Sequence, residues 1–178
     1  MLEGIIRESI GKKATKALRR DGYLIANIYG KGFENLNVAF KMGDYLRTVK
    51  SKDSVAFDVK IGDRVIKVVV QDYQVHPVTD TLLHVDLIAA QEGVVTKYHV
   101  PINIIGTPIG LKNKGVLIVS KKRIPIKSKI EDLPNSIDID VSNLDVGDAV
   151  LVRDLPENKT LDIRLADRVA ILSVIKAK

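Results

Sequence analysis

Between Lys12 and Arg20 the chain carries five basic side chains, Lys12, Lys13, Lys16, Arg19 and Arg20, and no acidic one. Ala14, Ala17 and Leu18 interleave with them at i, i+3 and i+4, the spacing of an amphipathic helix. Lys12, Lys16, Arg19 and Arg20 then share the opposite face. Like charges one turn apart repel. A polyanion removes that cost, because lysines and arginines on phosphates release counterions. The plain alternative is a solvated helix face. Further along, His84 and Asp86 alternate, so on a strand both side chains point to one side. Such a pair can share a hydrogen bond, help hold a metal, move a proton or contact a bound partner. Gln71 and Gln74 in QDYQVHP are amides within a β-rich run. Amides suit base edges and ribose hydroxyls, or else the backbone of a turn before Pro77.

Several chemistries are excluded or disfavoured. The absence of cysteine rules out disulfides, thiolate zinc sites and thiol nucleophiles. Gly4 and Gly11-Lys12 have the wrong spacing for a phosphate loop, and Lys13 stands where Ser or Thr would hold magnesium. Neither HExxH nor GxSxG occurs. The one enzymatic alternative is a metal-dependent hydrolase using His76, His84 and Asp86, although the His84/Asp86 pair has no third ligand at a recognisable spacing. No catalytic residue, metal or cofactor is therefore expected. The net charge of +6 favours an anionic partner without specifying one. MLEGIIRESI lacks the pattern of a signal peptide, and no apolar run is long enough for a membrane helix, so a cytoplasmic protein is expected.

The elements that must position these groups are mostly strands. Leu2–Glu8 suits an edge strand, followed by the basic helix, closed at Asp21-Gly22, and a strand over Tyr23–Tyr29. Strands are also expected at 36–41, 54–61, 64–71 and 82–87, with a tight hairpin at Gly62-Asp63 and a short helix over 43–49. This predicts a small antiparallel β-barrel with two or three short helices over residues 1–91. Tyr98 is the last aromatic residue, and residues 92–178 read as a second all-β domain with seven strand-like runs, the sixth at 160–163. Each half carries 14 Lys/Arg and 11 Asp/Glu. Within the second half the signs segregate. Lys112–Lys129 has seven basic and no acidic residues, whereas Glu131–Asp167 has ten acidic and three basic. The acidic stretch suits solubility or a basic protein neighbour.

Three blocks, GKKATKALRRDGYLIANIYGKG, VVVQDYQVHPVTDTLLHVDL and DLPNSIDIDVSNLDVGDAV, resemble in order the signatures of one family. It is the bacterial large-subunit ribosomal protein that binds 5S rRNA, in its two-domain form, the general stress protein CTC family. The resemblance implies a non-enzymatic ribonucleoprotein component whose N-terminal barrel meets the loop E region of 5S rRNA from its minor-groove side. A neighbouring ribosomal protein is a candidate partner of the C-terminal domain, and a stress-induced interaction module is a further alternative. The resemblance also implies the RNA-binding residues: Arg7, Lys12, Thr15, Lys16 and Arg19, Tyr29 in the YG turn, Gln71, and the His84/Asp86 pair. Leu24-Ile25-Ala26 lacks the family's usual proline, Asn27 stands where an apolar residue is common, and Leu87 replaces a Phe. All three read as packing or turn changes.

Overall fold

The computed structural model describes residues 1–52, 54–155 and 162–177. They fall into two compact units, Met1–Thr96 with Lys129–Glu131, and Lys97–Ser128 with Asp132–Lys178.

In the first unit six strands form a closed barrel: β1 (Leu2–Ile6), β2 (Tyr23–Gly30), β3 (Phe33–Lys41), β4 (Ala56–Ile61), β5 (Arg64–Val75) and β6 (Leu82–Ala89). Their order around the barrel is β1-β3-β2-β6-β5-β4. The expected barrel is present, with two refinements. The β1/β4 and β2/β6 pairings are parallel. And β1 is no edge strand, because it pairs with β3 on one side and β4 on the other. Closure leaves no strand edge to protect. Alternation along each strand sends Leu24, Ala26, Ile28, Val38, Phe40, Val59, Val68, Val85 and Leu87 into one apolar core. The Gly62-Asp63 hairpin forms as expected, with Gly62 at φ +59° between the paired Ile61 and Arg64.

Two α-helices accompany the barrel, α1 (Lys12–Arg20) and α2 (Met42–Ser51). The first packs on β2 with Ala14, Thr15, Ala17 and Leu18 half-buried and every basic residue exposed. It lacks a side-chain N-cap and has no acid in its first turn. Gly22, at φ +80°, lets the chain reverse into β2. Two residues of the outer barrel face, Ile25 and Ala39, are buried although they point away from the core, as a covering helix requires.

The second unit is all-β, as expected. Its strands are β7 (Thr96–Ile105), β8 (Gly115–Val119), β9 (Arg123–Ser128), β10 (Ile137–Asp140), β11 (Ala149–Leu151), β12 (Asp162–Ile163) and β13 (Ala170–Lys176). One sheet runs β10-β7-β9-β12 and the other β11-β13-β8. Val100, Ile124, Ile126, Ile139, Ile171 and Leu172 fill their shared core. Thr160 and Leu161, in the expected strand at 160–163, lie outside the described residues. The acidic stretch stitches its own turns. Asp140 accepts from the Ser142 amide at 2.9 Å, Asp148 from the Asp145 amide at 2.8 Å and Asp154 from the Leu151 amide at 2.9 Å. Asp145 accepts from Asn113 at 2.9 Å, which with the Val146 amide holds its carboxyl below the usual range.

One packing detail of the barrel is testable. Gly4 on β1 faces Phe40 on β3, whose ring lies over it. A Cβ at Gly4 would meet Phe40 Cε1 at 2.5 Å, and Phe40 is fully buried. Gly4→Ala is therefore expected to destabilise the barrel by about 1–3 kcal/mol, since an overpacked core must shift rotamers or backbone. Urea unfolding of the full chain reads this as a lowered midpoint; an unchanged midpoint would contradict the packing described.

Candidate nucleic-acid interface

Arg7 follows β1 and donates its amide to Asn37 O at 2.9 Å, so it continues the β1/β3 ladder. Only 9% of it is exposed, and its Nη2 donates to Thr15 Oγ1 on α1 at 2.8 Å. From the same helix one turn later, Arg19 reaches the carbonyl of Leu83 with Nε at 3.3 Å and Nη2 at 2.9 Å. These contacts tie α1 to the end of β1 on one side and to β6 on the other. Burial, and then the charge of Arg19, hold the Arg7 guanidinium below its ordinary value. Neither arginine has a carboxylate partner among the described residues. The buried Nε of Arg7 has no hydrogen-bond partner at all among them.

His84 completes this group from β6. Its pKa is pushed down, by burial first and then by Arg19 and Arg7, with Asp86 opposing. Its Nδ1 lies 3.4 Å from Asp86 Oδ1. As the alternation required, the two side chains share the outer barrel face. Tyr29, at the end of β2, lies in the field of Asp86 and Asp72. Burial and those two carboxylates raise its pKa, so its phenol stays a proton donor. Gln71 occupies the extra position of a β-bulge, since Val70 pairs with Leu87 and the next pairing is Asp72 with Asp86. Bulges re-aim a side chain relative to the strand. Gln74 is also in strand β5, opposite His84, and not in a turn.

Of the nine residues proposed from the sequence, Arg7, Thr15, Arg19, Tyr29, His84 and Asp86 are linked by the contacts and fields just given. Gln71 adjoins them through Asp72. Lys12 and Lys16 extend from the exposed side of α1 and are tied to nothing else described. The helix face thus divides: Arg19, grouped in the sequence with the exposed lysines, lies along the seam between helix and barrel.

Three further polar residues join the outer face. Asn27 pairs with Asn37 on β3 and with Asp86 on β6, and Asp86 pairs with Asp72 on β5. Asn37 and Asp72 carried no signal beyond strand alternation. Asn27 was visible only as a departure from a family pattern.

The hydrolase alternative has no geometry behind it. His76 Nδ1 accepts the Val78 and Thr79 amides, at 3.3 and 3.2 Å, and so shapes the β5–β6 turn. Among the described residues no three His, Asp or Glu side chains converge as metal ligands.

Residues 2–87 match the Ribosomal L25p family, and residues 95–178 match the Ribosomal protein TL5, C-terminal domain. Over all 178 residues of both chains, the chain is 64% identical to the large ribosomal subunit protein bL25 of a Nitratiruptor species. It is 60% identical to the protein of that name from Sulfurimonas denitrificans and 61% to that from Wolinella succinogenes, again over full length. The chain belongs to the ribosomal L25p family. That family consists of bacterial large-subunit ribosomal proteins and is not enzymatic, and the second match makes this its two-domain form.

The depressed pKa of His84 has a consequence for the free protein. The folded state binds fewer protons here than the unfolded chain, so this group's contribution is intact above the unfolded value of about pH 6.5 and is lost as pH falls from there through the lower folded-state value. His84→Gln is expected to flatten the loss of stability between about pH 7.5 and about pH 5. Urea titrations at stepped pH measure it, and parallel curves for the two proteins would show that His84 is not the titrating group.

Proposed function

We propose that this L25p-family protein binds 5S rRNA in the loop E region through the outer face formed by α1, β2, β5 and β6, as a structural component of the large subunit. The observation that carries the reading is the Arg7–Arg19–His84 group. Thr15 holds one guanidinium, the Leu83 carbonyl holds the other, and the His84 imidazole lies in their field, with no carboxylate on either arginine among the described residues. A fold that fixes like charges in this way gains when an anion arrives. The helix adds to it. Lys12 and Lys13 sit at the positive end of the α1 dipole, with neither acid nor side-chain cap to offset them. Phosphates meet both demands.

Asp86 and Asp72, further along the face, repel a phosphate. They suit a groove instead, where a carboxylate accepts from a base amino group or a ribose hydroxyl. Tyr29, kept protonated, donates beside them. The face is therefore cationic toward α1 and acceptor-rich toward β5, as an irregular RNA duplex with backbone on one side and an accessible minor groove on the other requires. The same reading gives RNA binding to residues 1–91 and leaves the second domain free for a protein neighbour.

Lys12→Ala and Lys16→Ala, being exposed and unpaired, should each lower the salt slope of 5S rRNA binding by about one unit at most. Arg19→Ala should lower it similarly and weaken binding further, because the helix loses its hold on Leu83. Gel shifts across a salt series give these slopes, and unchanged binding by the triple variant defeats the assignment. A fragment of residues 1–91 should retain the RNA in a pull-down; retention by residues 92–178 alone would reverse the division of labour.

A further inference from the structure

Asn27 and Asn37 lie side by side on the outer face of the two neighbouring strands β2 and β3. Their neighbours along the chain, Ala26, Ile28, Leu36 and Val38, all turn into the core, so both amides turn out. Each residue is half-buried, and neither side-chain amide makes a hydrogen bond to another described residue. Burying part of an amide without a partner is unfavourable, and an apolar or β-branched residue would suit either position better. Across the sheet, Arg7 continues the row on one side of Asn37, while Asp86 and then Asp72 continue it beyond Asn27. The row thus passes from a donor-only guanidinium, through two amides that both donate and accept, to acceptor-only carboxylates.

We infer that Asn27 and Asn37 are RNA-reading residues, whose amides take ribose 2′-hydroxyls and base-edge acceptors in the minor groove of the bound duplex. The inference rests on the 5S rRNA reading above and adds a neutral contact to it. A 2′-hydroxyl donates and accepts, and so does an amide; a lysine or a carboxylate matches only half of that. These residues therefore separate ribose from deoxyribose, while the arginines and lysines respond to phosphate on either sugar.

The test uses the full chain with 5S rRNA and with a loop E duplex carrying 2′-deoxy substitutions in its minor-groove strand. Asn27→Ala and Asn37→Ala should each weaken RNA binding about 5-fold, and the double variant about 25-fold, the scale of one net hydrogen bond each. The salt slope should not change, because no charge is removed. The unmodified protein should lose affinity on deoxy substitution, and the double variant should lose little more. Asn27→Ile controls for folding, since an apolar residue there should hold or raise the unfolding midpoint and still weaken binding. Full affinity in the double variant, an altered salt slope, or an undiminished deoxy penalty would each overturn the inference with the 5S rRNA reading intact. Failure of the unmodified protein to bind 5S rRNA would overturn both.

Discussion

Arg7 and Arg19 approach each other because the chain closes around them. Arg7 is fixed by the β1/β3 ladder through its own amide, and Arg19 by a helix whose half-buried stripe packs on β2. Each guanidinium then finds a neutral acceptor, a hydroxyl for one and a carbonyl for the other. Neutral acceptors satisfy donors without cancelling charge. The barrel thereby orients two cations and leaves their field open to solvent, which a salt bridge would have quenched. Burial first, and then that field, lower the His84 pKa, so a second strand supplies a donor without a third charge. Asp86 opposes the effect on His84 and raises the Tyr29 pKa. Burial thus leads both shifts, with the two arginines adding to it at His84 and the two carboxylates adding to it at Tyr29.

How far the sequence discloses this depends on the range of the interaction. The basic helix was legible to the residue, because its signals are local: apolar spacing, a Gly at the end and no proline within. So was the shared face of His84 and Asp86, which follows from strand alternation alone. The parallel β1/β4 and β2/β6 pairings within the expected barrel were not, since they join residues far apart in the chain, and nothing local marks which strand meets which. The same holds for Arg19. Helical spacing assigned it to the solvent side with Lys16, where it is indeed exposed, but its reach to a carbonyl on β6 could not be read from spacing. Gln71 was singled out by its motif, whereas Asp72 beside it carried no signal. A bulge separates their roles, giving one the extra position and setting the other opposite Asp86. The family motifs named six residues that the fold links together; they could not name Asn37, whose place on the face follows from its register with Asn27.

In the second unit the sequence suggested two opposite surfaces, one basic and one acidic, and the fold treats them differently. The described carboxylates from Asp138 to Asp162 are engaged within their own neighbourhood. Asp138 accepts from Asn103 and Ser136, Asp140 from Ser142, Asp148 and Asp154 from backbone amides, and Asp162 pairs with Arg164 at 2.6 Å. Most close a turn or join neighbouring strands, and Asp162 pairs within its own strand end, which accounts for an acidic residue at these positions without any partner. A carboxylate already accepting backbone donors has less to offer a basic neighbour, because its lone pairs and orientation are taken. The lysines from Lys112 to Lys129 enter no ion pair among the described residues and remain outward. Charge segregation along this half therefore does not divide it into two equivalent docking faces. These acidic residues build the loops, and the lysines from Lys112 to Lys129 are left as uncommitted positive charge among the described residues, the sign that suits an assembly made largely of RNA.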